Sequence, residues 1–331
     1  MIQHLFEKIV ATHSDRIVLV QGERQFSYFE LHVYVEWMAR YFQSLGVQPG
    51  HRVAIFMPNV HEFVISVLGL LRLRGIALPL PIDSEAGRIR ADLESAKAHA
   101  VITIPPFRDL LREVLSSSAS GAWPLAKLPL AIFEEDNIAT SRGSSLPQLN
   151  GAHAKIAFTD DRGNDKPPNG RVLAGKADHD PQENESTAAL FFHTRNGRLA
   201  VPALYSHHTL LDETDKLVRL SQLTHEDCIF SELPFSQAQG FVAGLVAAVT
   251  TGAKMVLAEP AGPDDLVEIL GHERVTIYSG ALDRFGQLAD IASAKLADAP
   301  ALRLCWCDAA SLPSDAEAVL RKNFDTEIQV I

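Results

Sequence analysis

Ala189-Leu-Phe-Phe-His-Thr-Arg-Asn-Gly-Arg-Leu-Ala-Val-Pro-Ala-Leu-Tyr-Ser-His-His208 is the stretch on which the fold is read. The apolar run Ala188 to Phe192 has the length of a strand and stops abruptly at polar residues. A short polar loop leads to Pro202 and a second apolar run, Ala203 to Tyr205. Ser206 then precedes a helical pattern of Leu210, Leu211, Leu217, Val218 and Leu220. Strand, polar loop, strand, cap and helix make a layout suited to an anion such as phosphate, because exposed backbone N–H groups cluster at such turns.

Outward from this stretch, the chain alternates strands and helices. Toward the N-terminus, Ile17–Val20 reads as a strand, and Ser27 with Glu30 reads as a capping box. The helix it opens carries Leu31, Val35, Met38, Ala39 and Phe42 and runs to Gly46. A buried strand at Val53–Met57, a helix Glu62–Arg74, a strand Ile76–Pro81, a helix Ala86–Ala96 and a strand Ala100–Ile104 follow. Toward the C-terminus come a strand from Cys228, an apolar helix after Gly240 and a strand Lys254–Ala258. They are followed by a helix Pro263–His272, a strand Thr276–Tyr278, a helix Ala281–Ala292, a strand Leu302–Cys305 and a helix Ser314–Lys322. Such alternation predicts an α/β protein with two βα lobes of mostly parallel sheet and flanking helices. The expected division is 1–104 for the first lobe, 105–187 for a variable connection with a mobile polar part, and 188–331 for the second lobe.

Composition narrows the partners. A chain of 331 residues, 47% hydrophobic and 21% charged, has room for one large or two medium globular domains. Its net charge of -11 argues against a nucleic-acid binder, which needs clustered Lys and Arg. Three cysteines fit a reducing compartment, and no signal peptide or membrane span is read, so a cytoplasmic protein is expected. The most apolar stretches, Phe63–Leu71 and Phe241–Val249, are too short to cross a bilayer. Cys305-Trp-Cys307 alternates as on a strand, which puts both thiols on one face.

Four N-terminal segments carry a family resemblance: Phe26-Ser-Tyr-Phe-Glu-Leu31, Leu45-Gly-Val-Gln-Pro-Gly-His-Arg-Val-Ala-Ile55, Pro58-Asn-Val-His-Glu-Phe-Val64 and Gly75-Ile-Ala-Leu-Pro-Leu-Pro-Ile-Asp83. Their order and spacing resemble the N-terminal domain of the AMP-forming acyl- and aryl-acid ligases, the adenylate-forming superfamily. In that family the phosphate loop reads roughly Thr-Ser-Gly-Thr-Thr-Gly-x-Pro-Lys-Gly, followed by Thr-His. The resemblance places Thr194, Arg195, Asn196, Gly197 and Arg198 in the loop, and Ser206-His207 at the Thr-His. Arg195 and Arg198 stand at glycine positions and Val201 at the lysine. Two guanidinium groups can grip phosphate, but side chains at glycine positions keep the backbone from closing on an anion.

The family's Leu-Pro-x-x-His-x-x-Gly motif is matched by Leu233-Pro-Phe-Ser-Gln-Ala-Gln-Gly240, with Gln237 at the histidine. The resemblance makes Gln237, Ala238 and Gly240 the acyl-pocket candidates. Glutamine can donate a hydrogen bond there but does not titrate near neutral pH. The adenine loop is matched by Cys307-Asp-Ala-Ala-Ser-Leu-Pro313, with Asp308, Ala309, Ala310 and Ser311 as candidates. Asp308 replaces a glycine, and a loop-stabilising role is the plainer reading for it. Phe324–Ile331 resembles the strand that precedes the family's Tyr-Gly-x-Thr-Glu motif, so the Mg²⁺-linked glutamate and the mobile C-terminal domain are expected to be absent.

No catalytic residue and no metal ligand is assigned. Three functions are compatible with these residues. The first is a degenerate acid-adenylation domain that binds an acyl group, an acyl carrier or a protein partner without independent catalysis. The second is the N-terminal half of a split ligase completed by another chain, the reading in which ATP and Mg²⁺ are cofactors. The third is a structural or oligomerisation subunit that keeps the fold alone. A bared sheet edge leads to an expected self-association or partner.

Overall fold

The computed structural model describes residues 1–116, 123–136, 155–159, 187–192, 202–260, 262–281, 283–285, 287, 301–307 and 327–330. The first part contains α1 (Ile2–His13), β1 (Ile17–Gln21), β2 (Arg24–Ser27), α2 (Tyr28–Ser44), β3 (Arg52–Phe56), α3 (His61–Arg72), β4 (Ile76–Pro79), α4 (Ala86–Ser95), β5 (Ala100–Thr103) and α5 (Arg108–Ser116). Next come β6 (Leu130–Asp136), β7 (Lys155–Thr159), β8 (Thr187–Phe192), β9 (Pro202–Ser206), α6 (His207–Ser221) and β10 (Cys228–Ser231). After these, α7 (Ala238–Gly240), a π-helical segment (Phe241–Val246) and α8 (Ala247–Thr251) run into one another. The remaining elements are β11 (Lys254–Val256), α9 (Pro263–His272), β12 (Ile277–Gly280), β13 (Leu304–Cys307) and β14 (Glu327–Val330).

Local chemistry accounts for the main boundaries. Ser27 Oγ accepts from Glu30 N at 3.1 Å while Ser27 N donates to Glu30 Oε2 at 2.8 Å, so the expected capping box opens α2. Ser206 Oγ accepts from Thr209 N at 3.0 Å and caps α6 in the same manner. Arg52–Phe56 is buried along nearly its whole length, as a strand covered on both faces must be. Cys305 and Cys307 do share a face, with Trp306 on the other.

Two seven-stranded sheets form, in the orders β14-β13-β12-β10-β11-β1-β2 and β7-β6-β5-β3-β4-β8-β9. Most pairings are parallel, and antiparallel pairs occur at β1–β2, β6–β7 and β8–β9. Sheet membership does not follow chain order. The N-terminal β1 lies parallel to β11 among the late strands, and β8 lies parallel to β4 among the early ones. Residues 105–187, read from sequence as a connection whose strand-like runs are Ala131–Phe133 and Lys155–Phe158, contribute the β6–β7 pair at those runs, which extends the second sheet, and also α5, with Leu111, Val114 and Leu115 buried.

One apolar cluster joins α1, α2, α3, the π segment and α8 to the inward faces of both sheets. A second covers the outer face of the β3-containing sheet beneath α4 and α5, and a third lies beneath α9 on the other sheet. The layers are therefore helix, sheet, helix, sheet, helix. The central layer explains why Phe63–Leu71 and Phe241–Val249 are so apolar: α3 packs on β3 and β4 and against α2, the π segment packs on β10 and against α6, and both expose almost nothing. Among the described residues no helix is long and apolar enough to cross a membrane.

Candidate functional site

At the carboxyl ends of parallel strands the chain leaves the sheet, and ligands of open α/β sheets bind along that edge. Here the two sheets are tied together at that edge by one side chain. Asn59, three residues past β3, donates from Nδ2 to Leu233 O at 2.9 Å and accepts from Phe235 N at 2.8 Å. It thereby holds both backbone groups of the turn that follows β10. Phe235 also packs against Phe63 of α3, with ring centroids 5.4 Å apart.

The turn is locked from its other end by close approach. Gln237 N donates to Pro234 O at 2.9 Å, and Phe241 N donates to Gln237 O at 2.9 Å. A Cβ on Gly240 would sit 2.4 Å from Pro234 O and 2.6 Å from Leu233 O, so a larger residue cannot occupy this position without moving the turn. Gly244, within the π segment, is similarly constrained: a Cβ there would lie 2.5 Å from Phe235 Cε1 and 3.1 Å from Ser231 Cβ. Insertion of an extra residue into a helical turn often accompanies functional sites. Gln237, Ala238 and Gly240 thus come together on this turn, with Gln237 exposed, Ala238 half-buried and Gly240 buried.

The phosphate-loop candidates Thr194, Arg195, Asn196, Gly197 and Arg198 lie outside the described residues, and so do Asp308, Ala309, Ala310 and Ser311. Their flanks are described. β8 and β9 pair antiparallel, with Phe192 at the carboxyl end of β8 opposite Pro202. Beside that end, the Arg88 guanidinium sits 5.8 Å from the centre of the Phe192 ring. Arg88 Nε also contacts both oxygens of buried Asp92, at 2.8 and 2.7 Å. Burial pushes the Asp92 carboxyl above its ordinary range, against the pull of Arg88. Asp308–Ser311 follow Cys307, at the carboxyl end of β13.

Two groupings at this edge carry no sequence motif. On the inward face, Ser231, Ser279 and Trp306 stand in one register row across β10, β12 and β13. Their relative exposures are 2%, 0% and 0%, and Ser231 Oγ, Ser279 Oγ and Trp306 Nε1 have no hydrogen-bond partner among the described residues. Across the sheet, Tyr278 O–H donates to Glu232 Oε2, and Arg284 Nε pairs with Glu232 Oε1 at 3.1 Å. Burial raises both the Glu232 carboxyl and the Tyr278 phenol. Strand alternation could have placed the row on one face, but nothing in the sequence says that its polar atoms stay unpartnered. Among the described residues no group of three or more His, Cys, Asp or Glu is arranged to hold a metal ion.

The two-sheet α/β frame matches that of the N-terminal domain of adenylate-forming ligases. The family described as AMP-binding enzyme matches residues 6–192, more than half of the chain, and the chain belongs to it. The 2,3-dihydroxybenzoate-AMP ligase of Bacillus subtilis is 25% identical over 97% of this chain and 54% of its own length. The medium-chain fatty-acid–CoA ligase of Escherichia coli is 22% identical over 90% of this chain and 49% of its own. The chain spans about half the length of these two relatives. In fold it is similar to the anthranilate CoA ligase AuaEII in complex with anthranoyl-AMP, with a TM-score of 0.76, 15% identity and coverage of 100% of this chain and 59% of that one.

Proposed function

We propose that the chain is an acid-binding member of the AMP-binding family that does not catalyse adenylation by itself. The observation that carries this reading is a contrast along one edge. On one side is a firmly held turn suited to shaping an acid site: Asn59 is bonded to Leu233 and Phe235, and Gly240 is pressed against the same turn. The positions that would neutralise a triphosphate differ from the family pattern, with Val201 at the lysine and Arg195 and Arg198 at glycines. Adenylation needs backbone donors and a cation around the phosphates while the carboxylate attacks. Bulky residues at glycine positions work against that closure. Gln237 at the histidine position keeps a hydrogen-bonding tip in reach of an acid but has no proton to exchange near neutral pH. The relatives' names supply the class of ligand, aryl and fatty acids.

The test is thermal unfolding with a panel of aryl and fatty acids, each without and with ATP. A native-state ligand at one hundred times its Kd adds about 2.7 kcal/mol, which is readily seen as a rise in Tm. An acid-dependent rise that ATP does not enlarge supports the reading. No rise with any acid contradicts it. A second reading, adenylation completed by another chain, is favoured by the two arginines in the loop, since guanidinium forks bind phosphate well. Under that reading ATP alone raises Tm.

A further inference from the structure

Glu232 is an acid set at the edge of an apolar cluster. It follows β10 with its side chain 11% exposed. Both carboxylate oxygens are engaged: Oε2 accepts from the Tyr278 hydroxyl, and Oε1 pairs with Arg284 Nε at 3.1 Å. Tyr278, and Phe285 next to Arg284, belong to the apolar cluster beneath α9. Gly280 makes room for the phenol, since a Cβ there would lie 2.4 Å from Tyr278 Oη. Arg284 reaches further, from Nη2 to Pro260 O at 3.3 Å and from Nη1 to Gln287 Oε1 at 3.0 Å. One carboxylate thus ties together the stretches that follow β10, β11 and β12. A largely buried ion pair adds little stability over an apolar contact of the same shape, and one attested use of such a pair is as a switch.

We propose that the Glu232–Arg284 pair is a proton-operated latch on the turn that carries Gln237: closed, it seats that turn against β12, and open, it frees the turn on that side. The link is short. Glu232 N donates to Ser279 O at 2.8 Å, and the next residue, Leu233, offers the carbonyl that Asn59 Nδ2 holds. Only an ionised carboxylate accepts on both oxygens. Once protonated, one oxygen carries a hydrogen that faces a donor, and arginine does not give its proton up. Burial pushes the Glu232 carboxyl above its ordinary range, against the pull of Tyr278 and Arg284, and Asp283 pushes it the same way. Burial also raises the Tyr278 phenol, which therefore stays a donor, and Cys305 of β13 acts on the pair through that phenol. A carboxyl whose folded value is raised takes up its proton at a higher pH than the unfolded chain does, so the latch is closed above that value and opens as pH falls through it. The consequence for a ligand rests on the acid-binding reading given above: an acid held at this turn would be released as the latch opens.

Hydrogen exchange of the full chain, with no acid present, from about pH 8 to about pH 5 is the test. Each amide's rate is compared with its intrinsic rate at the same pH, which gives a protection factor. Protection at Phe235 and Gln237 should fall about tenfold across the range, the loss expected from one charge-assisted hydrogen bond. Leu80, whose N–H donates to Ile55 O in the other sheet, should keep its protection. Glu232→Gln has one acceptor oxygen for two donors, so its turn should sit at the low level at every pH. Arg284→Gln should move the fall to higher pH, because burial then acts on the carboxyl without an opposing cation. Flat protection at Phe235 and Gln237 in the original chain overturns the proposal, and so does a fall shared by Leu80 or one that survives Glu232→Gln. These outcomes stand apart from the acid-binding reading, which fails instead when no acid raises Tm.

Discussion

Replacing Asn59 by alanine removes both hydrogen bonds that hold the Leu233–Phe235 turn and leaves Leu233 O and Phe235 N without those partners. Two ordinary hydrogen bonds contribute about 2 kcal/mol, and orphaning both buried backbone groups raises the loss toward about 4 kcal/mol. Unfolding entropy of about 2.1 cal/mol/K per residue gives about 0.7 kcal/mol/K for 331 residues, so Tm should fall by about 3–6 °C. Gly240→Ala strikes the same turn by another route, since its Cβ would meet Pro234 O at 2.4 Å. Overpacking of this kind costs about 1–3 kcal/mol. Once either change has displaced the turn, the other has less left to disturb, so the double variant should lose less than the two singles added together. Calorimetric unfolding of the four proteins reads out the cycle. An unchanged Tm for Asn59→Ala, or strict additivity in the cycle, would refute the claim that these two residues fix one turn.

Other expectations concern charge and thiols. Asp227 is buried, yet its carboxyl lies below the ordinary value, because Arg303 contacts at 2.9 Å, Thr224 N at 2.8 Å and Thr276 Oγ1 at 2.7 Å outweigh desolvation. A depressed folded pKa stabilises above the unfolded value of about 3.9 and is lost as pH falls through the folded one, so Asp227→Asn should flatten the acid limb below about pH 4 in urea titrations. His61 is pushed down to about 3 by burial and then by Arg24, so the folded state favours neutral imidazole. Its contribution is complete above the unfolded value of about 6.5 and declines as pH falls from there toward 3, and His61→Gln should remove that part of the slope. His207, held at about 4 by burial and the N-terminal charge, gives a second component with the same sign, which His207→Gln should remove independently. Cys228, Cys305 and Cys307 are buried free thiols, and burial raises Cys228 to about 12, so a disulfide reagent should modify all three in denaturant and none at comparable speed in the native chain.

The sequence made the local elements legible where short-range chemistry decides them. The Ser27–Glu30 cap, the Ser206 cap and helix α9 at Pro263–His272 stand where spacing and capping residues put them. Sheet membership was not legible, because β1 and β8 join strands remote in the chain and nothing local encodes that pairing. Helix α5 was missed for a related reason: nine residues run into a serine-rich stretch, and only packing against α4 and β6 identifies its apolar face. Of the candidate site, Gln237, Ala238 and Gly240 were proposed through a motif and lie on one turn, and Asn59 was quoted within another motif, but its bond to that turn 174 residues away appears only in three dimensions. The Ser231–Ser279–Trp306 row is a register property and no single segment contains it.

The central claim is that the frame for holding an acid is present while this chain alone lacks the means to activate it with ATP. ATP–pyrophosphate exchange by the purified chain, with each acid that raises its Tm, is the most direct measurement. The account predicts exchange no faster than the acid-free blank. Acid-dependent exchange that follows the protein concentration would contradict it.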